Sequence, residues 1–288
     1  MYLCKTYFSF NYGTWSTKEL VAAGAGAGAT VLVLANINST CDAWDFVLYC
    51  REAGLRPVLG AEIRNGNKLL YILLSANNAG FRGINAFLSE HLLEKKEFPD
   101  TPAGAFAGPQ DGFIIYPFGS RSPEALGDNE RIGVLPDEVN RLLRTGFAAT
   151  ASKWVIRQPV TYQNKVYYNL HRLLRAVDKN TLLSRLQPED MAGPREYFVP
   201  AAEVLAAFQR YPAMIANTSR LLEACSIDME FGADKNKRLF TASREDDRSL
   251  LEKLASDGLR LRYGKNEKAR QQVVRELQII DQMGFTAY

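Results

Sequence analysis

Thr30 to Ile63, TVLVLANINSTCDAWDFVLYCREAGLRPVLGAEI, reads as strand, loop, helix and strand. Val31-Leu-Val-Leu34 is a short apolar, β-branched run, and Cys41 to Glu52 repeats Ala43, Phe46, Val47 and Cys50 at helical spacing until Gly54 stops it. Arg56-Pro-Val-Leu-Gly60 then resumes as a second apolar strand. Such a βα unit belongs to an α/β fold, where ligands gather at the carboxyl ends of parallel strands. Those ends carry Asn36 and Glu62, so a site is expected around Ala35-Asn-Ile-Asn38 and Glu62.

Working outward, Tyr2-Leu-Cys4 is a first strand and Thr17 to Ala23 a helix, with Ser16 placed to cap it and Glu19 three residues on. Gly24-Ala-Gly-Ala-Gly-Ala29 imitates a nucleotide-binding glycine loop, but it ends a helix and feeds a strand. That is the reverse of what a phosphate cradle needs, so it reads as helix end plus turn. Asn65-Gly66 is a two-residue turn signal, and Lys68 to Leu74 returns as the second strand of a hairpin. Phe81 to Leu93 is helical, with His91 near its end in a surface role; Phe98 to Gly112 is a loop, and Asp111 to Tyr116 another strand.

Arg131 to Leu135 reads as a strand, Asp137 to Arg144 as a helix, and Gly146 to Ile156 as one or two further strands. Gln158 to Tyr162 leads into a helix from Asn164 to Lys179, which collects Val166, Tyr167, Leu170, Leu173, Leu174 and Val177 on one face, with Arg172 and Arg175 off it. His171 lies off the same stripe, where a packed or hydrogen-bonded histidine is the default. From Leu182 the strands stop: 200–210, 212–225, 245–262 and 266–283 are all helical by periodicity. The expected organisation is an α/β barrel-like domain over 1–230 and a helical region over 231–288. The apolar ending Ile279 to Tyr288 suggests a piece of a longer protein.

Composition narrows the function classes. No run approaches the roughly 20 apolar residues of a membrane span and the start lacks a basic signal-peptide region, so a cytoplasmic protein is expected. Cys4, Cys41, Cys50 and Cys225 lack zinc-type spacing and read as buried thiols. The net charge is only +3, but Lys235 to Arg275 holds twelve Lys or Arg against six Asp or Glu. Lys235, Lys237, Arg238, Arg260 and Arg262 are therefore candidates for contact with DNA or with another domain. Only two histidines exist, His91 and His171, too few for a multinuclear centre built mainly on imidazole.

Several stretches together resemble the N-terminal polymerase-and-histidinol-phosphatase (PHP) domain of the C-family bacterial DNA polymerases, the family of the DNA polymerase III alpha subunit and its error-prone paralogue. They are Thr6-Tyr-Phe-Ser9 with Gly13, Leu34 to Asn38, Gly54 to Glu62, Leu73 to Phe81, Asn169 to Leu174, and Glu276 to Tyr288. The last is similar to the opening of the family's polymerase region. The resemblance implies a distorted seven-stranded (β/α) barrel followed by a helical extension, a role in DNA replication, and partners in the remainder of the polymerase chain, a proofreading exonuclease subunit and DNA. It also implies Mg2+ for a parent polymerase whose catalytic aspartates lie beyond Tyr288.

Metal-binding PHP domains hold divalent ions with His, Asp, Glu or Cys ligands, and this sequence departs from that pattern. The resemblance puts the opening His-x-His on Leu3 and Lys5, the next Asp-His pair on Asn36 and Ile37, a later His near Leu70, and a late Asp-x-His on Pro159 and Thr161; Glu62 is kept. Leu and Ile cannot ligate, Lys repels a cation, and Asn is a weak neutral ligand, so no metal cofactor is expected here. Lys5 is expected to pair with Glu62 in place of an ion, because an isolated buried carboxylate is costly. Two alternatives stay open: an active metal-dependent phosphoesterase or 3'-5' exonuclease, and an unrelated α/β enzyme using Glu62 as general base.

Overall fold

The computed structural model describes residues 1–232 and 236–288, and these fall into two compact units, 1–229 and 230–288. The first unit is built on one mixed sheet. Its strands are β1 (Tyr2–Cys4), β2 (Val31–Ile37), β3 (Arg56–Asn65), β4 (Lys68–Ser75), β5 (Gly112–Pro117), β6 (Glu130–Val134), β7 (Trp154–Ile156) and β8 (Gln158–Val160). Their spatial order is β7-β6-β5-β4-β3-β2-β1-β8. β3–β4 and β4–β5 are antiparallel and every other pairing is parallel.

β7 and β8, at opposite ends of that order, are separated in sequence by Arg157 alone. Arg157 N donates to Val134 O on β6 at 3.0 Å, and Gln158 N donates to Met1 O at 2.8 Å. One extended segment therefore changes partner across a single residue and brings the sheet round into a nearly closed α/β barrel. Counted as one kinked strand, it gives the seven staves that the resemblance implies. The Arg157 side chain crosses Gly133, where a Cβ would lie 2.8 Å from Arg157 Cδ.

Around the sheet lie α1 (Thr17–Gly26), α2 (Ala43–Glu52), α3 (Asn78–Leu93), α4 (Lys165–Asp178), α5 (Ala201–Ala207) and α6 (Pro212–Glu223). The inner layer comprises Leu3, Val33, Ala35, Val58, Ile72, Leu74, Ile115 and Val155, with Leu221, Leu222 and Cys225 from the α6 region packed beneath. Side chains alternate along strands, so Lys5 follows Leu3, and Glu62 follows Val58 and Gly60, on the inward face. At the carboxyl-end mouth a second cluster of Tyr12, Tyr162 and Ala192 packs with Ile37, Tyr167, Tyr168 and Tyr197.

Four expectations are corrected. Gly146 to Ile156 forms a short 3-10 segment, Phe147–Lys153, and only its last three residues are strand, as β7; the helix expected over 137–144 is present as the 3-10 segment Pro136–Arg144. The hairpin turn is Gly66-Asn67, because Asn65 pairs with Lys68 and its side chain is engaged by the backbone of Phe98. Cys41 is exposed in the turn before α2, whereas the other three thiols are buried. Most consequentially, α4 buries His171, Arg175 and Ala176 and turns Val166, Leu170, Leu173 and Val177 outward.

The second unit contains α7 (Arg244–Tyr263) and α8 (Glu267–Gln282). Ser243 caps α7, Asp247 accepts from Phe240 N and Thr241 N, and Arg248 pairs with Asp281 across the two helices at 3.2 Å. No described helix is long and apolar enough to cross a membrane.

Candidate functional site

Three inward-facing positions bring charge to the barrel mouth. Lys5 directly follows β1, and its N donates to Val160 O on β8 at 2.8 Å, which fixes the side chain over the inner layer. Glu62 and Arg64 sit two residues apart on β3, on the same face, with an irregularity of register between Ile63 and Arg64. Arg64 reaches Glu62 Oε1 through Nε at 2.6 Å and Nη2 at 2.5 Å. Lys5 Nζ lies 2.9 Å from Glu62 Oε2 as a buried ion pair.

Glu196 completes the group, 4.0 Å from Lys5 Nζ, and its Oε2 accepts from Thr161 Oγ at 2.5 Å. Two cations thus face two carboxylates. The side chains of Lys5 and Glu62 are 1% and 2% exposed, so the pair is shielded from solvent. Burial alone would raise the Glu62 carboxyl pKa, but Arg64 and then Lys5 outweigh it and hold it down at about 2. The same contacts raise the Arg64 guanidinium against the opposing effect of burial.

The cluster is roofed by aromatic rings. The Arg64 guanidinium lies 4.7 Å from the Tyr12 ring centroid and that of Arg175 lies 5.2 Å from it. His171, edge-on to Tyr12 with centroids 4.7 Å apart, accepts from Ala192 N at Nε2, which leaves Nδ1–H to donate to Tyr12 O at 2.6 Å. This neutral tautomer is locked by both bonds, and burial lowers the imidazole pKa. His91 is remote from this group: its Nδ1 bonds Phe87 O, and its ring stacks on Phe98.

Asn36 does not join the cluster. It alternates with Ile37 on β2 and turns to the opposite face, where its Nδ2 donates to Asp42 Oδ1 at 2.6 Å and its Oδ1 accepts from Thr6 N and Ser9 Oγ, both at 2.8 Å. Asp42 Oδ2 also accepts from Thr6 Oγ at 2.7 Å and Thr17 Oγ at 2.8 Å; burial raises its carboxyl pKa despite these bonds. Leu3 is core, Pro159 lies opposite it on β8, Ile37 belongs to the aromatic cluster, and Leu70 is buried on β4.

Both oxygens of Glu62 are taken by cations, and Leu3, Ile37, Leu70 and Pro159 have no side-chain donor, so the residues present do not fit a hard divalent ion. Among the described residues no group of three or more His, Cys, Asp or Glu is placed to hold one. Sequence reasoning missed Arg64, Glu196, Tyr12 and Asp42. Arg64 had a signal, the period-two spacing from Glu62; Glu196 comes from a loop 134 positions away and had none.

In the second unit Lys237 lies over the Phe240 ring, Arg260 pairs with Asp257 at 2.8 Å, and Lys237, Arg238, Arg260 and Arg262 are all exposed. Arg260 and Arg262, two positions apart on α7, project roughly 200° apart and do not share a face. Lys235 falls outside the described residues.

No family model matches the chain. It is similar along nearly its whole length to bacterial DNA polymerases: 24% identical to the error-prone DNA polymerase of Symbiobacterium thermophilum over 98% of this chain, and 26% identical to the DNA polymerase III subunit alpha of Halalkalibacterium halodurans over 93%. The chain spans only 30% and 27% of those two relatives. Among solved structures, an amidohydrolase from Chromobacterium violaceum aligns over 72% of this chain and 95% of its own, at 12% identity and a TM-score of 0.30.

Proposed function

We infer that this chain, a relative of the bacterial error-prone DNA polymerases and DNA polymerase III alpha subunits, is a PHP-type domain with a helical extension whose role within a DNA-directed DNA polymerase is structural and partner-binding rather than hydrolytic. One observation carries this reading. At the barrel mouth, where metal-dependent relatives of such a domain would need open, anionic donors, Glu62 is clamped by Lys5 and Arg64 and sealed under Tyr12. A general base or metal ligand must reach a substrate or an ion, and a carboxylate with both oxygens neutralised in a dry interior can do neither. The cations supply the charge that an ion would otherwise bring, and the barrel keeps its shape without one.

In this reading nucleotidyl transfer, with its Mg2+, belongs to sequence outside these 288 residues. Lys237, Arg238, Arg260 and Arg262 serve contact with DNA or a neighbouring domain, and a proofreading exonuclease subunit is the partner class that the non-hydrolytic barrel would serve. The test is hydrolysis of bis-p-nitrophenyl phosphate and of a 3'-labelled oligonucleotide by the chain in Mg2+, Mn2+ or Zn2+. Rates equal to the protein-free blank are expected. Turnover that disappears in Glu62→Gln would overturn the reading.

A further inference from the structure

α4 is folded inside out. Val166, Leu170, Leu173 and Val177 recur at spacings of four, three and four residues, the rhythm of a coiled-coil seam, and they are 73%, 41%, 48% and 73% exposed. The opposite, polar face carries His171 and Arg175 into the barrel roof, where His171 bridges Tyr12 O and Ala192 N and Arg175 Nε donates to Asp190 O at 2.7 Å. The polar groups therefore lock the helix in this orientation, and it cannot rotate to hide the leucines without breaking these bonds. Single exposed apolar side chains are ordinary, but four in register along about 16 Å of helix form a patch.

The patch continues beyond the helix. Leu173 and Val177 open onto a cavity of about 580 Å³ that Leu182 also lines, and Arg185 stands at its edge. At the other end Lys165 and Tyr168 border a cavity of about 400 Å³ walled by Tyr162 and Tyr197. The charge along this groove is of one sign. Lys165, Arg172 and Arg185 are spread along its length, and among the described residues none of the three is in an ion pair; the nearest acid on the helix, Asp178, is held by Arg175 at 2.9 Å.

We propose that the outward face of α4 is the docking groove for an amphipathic helix of a partner protein, with leucine-type side chains on its seam and Asp or Glu along its flanks. Apolar seams laid together release water, and carboxylates on the incoming helix would meet the three unpaired bases, fixing register and partner choice. A second copy of this chain is the weaker occupant, since pairing α4 with itself would bring the same bases together without an acid between them. The proposal gives a surface to the partner-binding role inferred above, but it fails separately, because helix binding and hydrolysis are read by different assays.

The test titrates the 288-residue chain against a fluorescein-labelled synthetic helix with Leu at its seam positions and Glu on its flanks, read by anisotropy, beside a peptide with Lys in place of each Glu. Saturable binding of the acidic peptide alone is expected, weakened about tenfold or more in Leu170→Ser/Leu173→Ser. Lys165→Glu/Arg172→Glu should shift preference towards the basic peptide. Lys165, Leu170 and Leu173 are exposed and Arg172 is half-buried, so circular dichroism should show an unchanged fold. Equal binding of both peptides, binding that survives Leu170→Ser/Leu173→Ser, or no binding would overturn the proposal. So would sedimentation showing a dimer that Leu170→Ser/Leu173→Ser dissociates while the acidic peptide does not bind, which would assign the groove to a second copy.

Discussion

Arg64 grips a single oxygen of Glu62 with two nitrogens, at 2.6 and 2.5 Å, and leaves the other oxygen to Lys5. The two cations are therefore unequal. Removing Lys5 leaves Glu62 still neutralised, whereas removing Glu62 leaves two buried cations with only Glu196 nearby.

Urea unfolding of the barrel should reflect that asymmetry. Breaking a buried pair by removing one partner costs about 3–5 kcal/mol, so Glu62→Leu is expected near the top of that range and Lys5→Met near or below its bottom. The double variant should be less destabilised than the sum of the two. Strict additivity would mean that the pair is not energetically coupled.

Acid should attack the cluster late. The Glu62 carboxyl is depressed to about 2 in the fold, so its contribution is complete above the ordinary carboxylate pKa near 4.5 and is lost as pH falls from there towards 2. His171 acts earlier. Its folded pKa is lowered from 6.5, so the unfolded chain takes up a proton first, and stability falls as pH drops below about 6.5. Melting temperature against pH should slope between those limits in the native chain and flatten near pH 6 in His171→Gln. An unchanged slope in that variant would remove His171 from the explanation.

The sequence disclosed the frame better than the site. Val31 to Leu34 and Arg56 to Gly60 announced themselves as strands because an interior strand is apolar throughout. Glu62 stood out as a lone carboxylate ending such a strand. The strand expected from Gly146 is confined to Trp154–Ile156, because Phe147–Lys153 coils as a 3-10 segment that sets Phe147 edge-on to Tyr211, a residue distant in sequence. α4 shows the deeper limit: its periodicity was plain in the sequence, but which face is buried is decided by Tyr12 and Ala192, distant residues that bind His171. Asn36 illustrates the same limit, since the opposite faces of a strand are adjacent in sequence.

Asn36→Asp offers a sharp test of that last point. It restores the residue type of a metal ligand, but on the face where Nδ2 meets Asp42 Oδ1 at 2.6 Å. Two buried carboxylates would then oppose each other, so the variant should be destabilised by about 2 kcal/mol or more and gain no metal affinity. Tight Mn2+ binding by this variant would show that Asn36 faces the mouth after all.

Gly60 should tolerate no side chain. A Cβ there would lie 2.2 Å from Leu73 O on the neighbouring strand, at the layer just beneath Glu62. Gly60→Ala is expected to cost about 1–3 kcal/mol by overpacking, seen as a lowered urea midpoint. Gly26→Ala, with open space around its Cβ, serves as the control and should leave the midpoint unchanged or raised.

The most direct test of a barrel held by Lys5 and Arg64 instead of by metal is elemental analysis of the chain purified without chelator, then dialysed first against zinc and manganese and afterwards against metal-free buffer. A cluster already neutralised by two cations predicts less than about a tenth of an equivalent of either metal. Two or three retained equivalents, lost in Glu62→Gln, would contradict it and would make the barrel mouth a working metal centre.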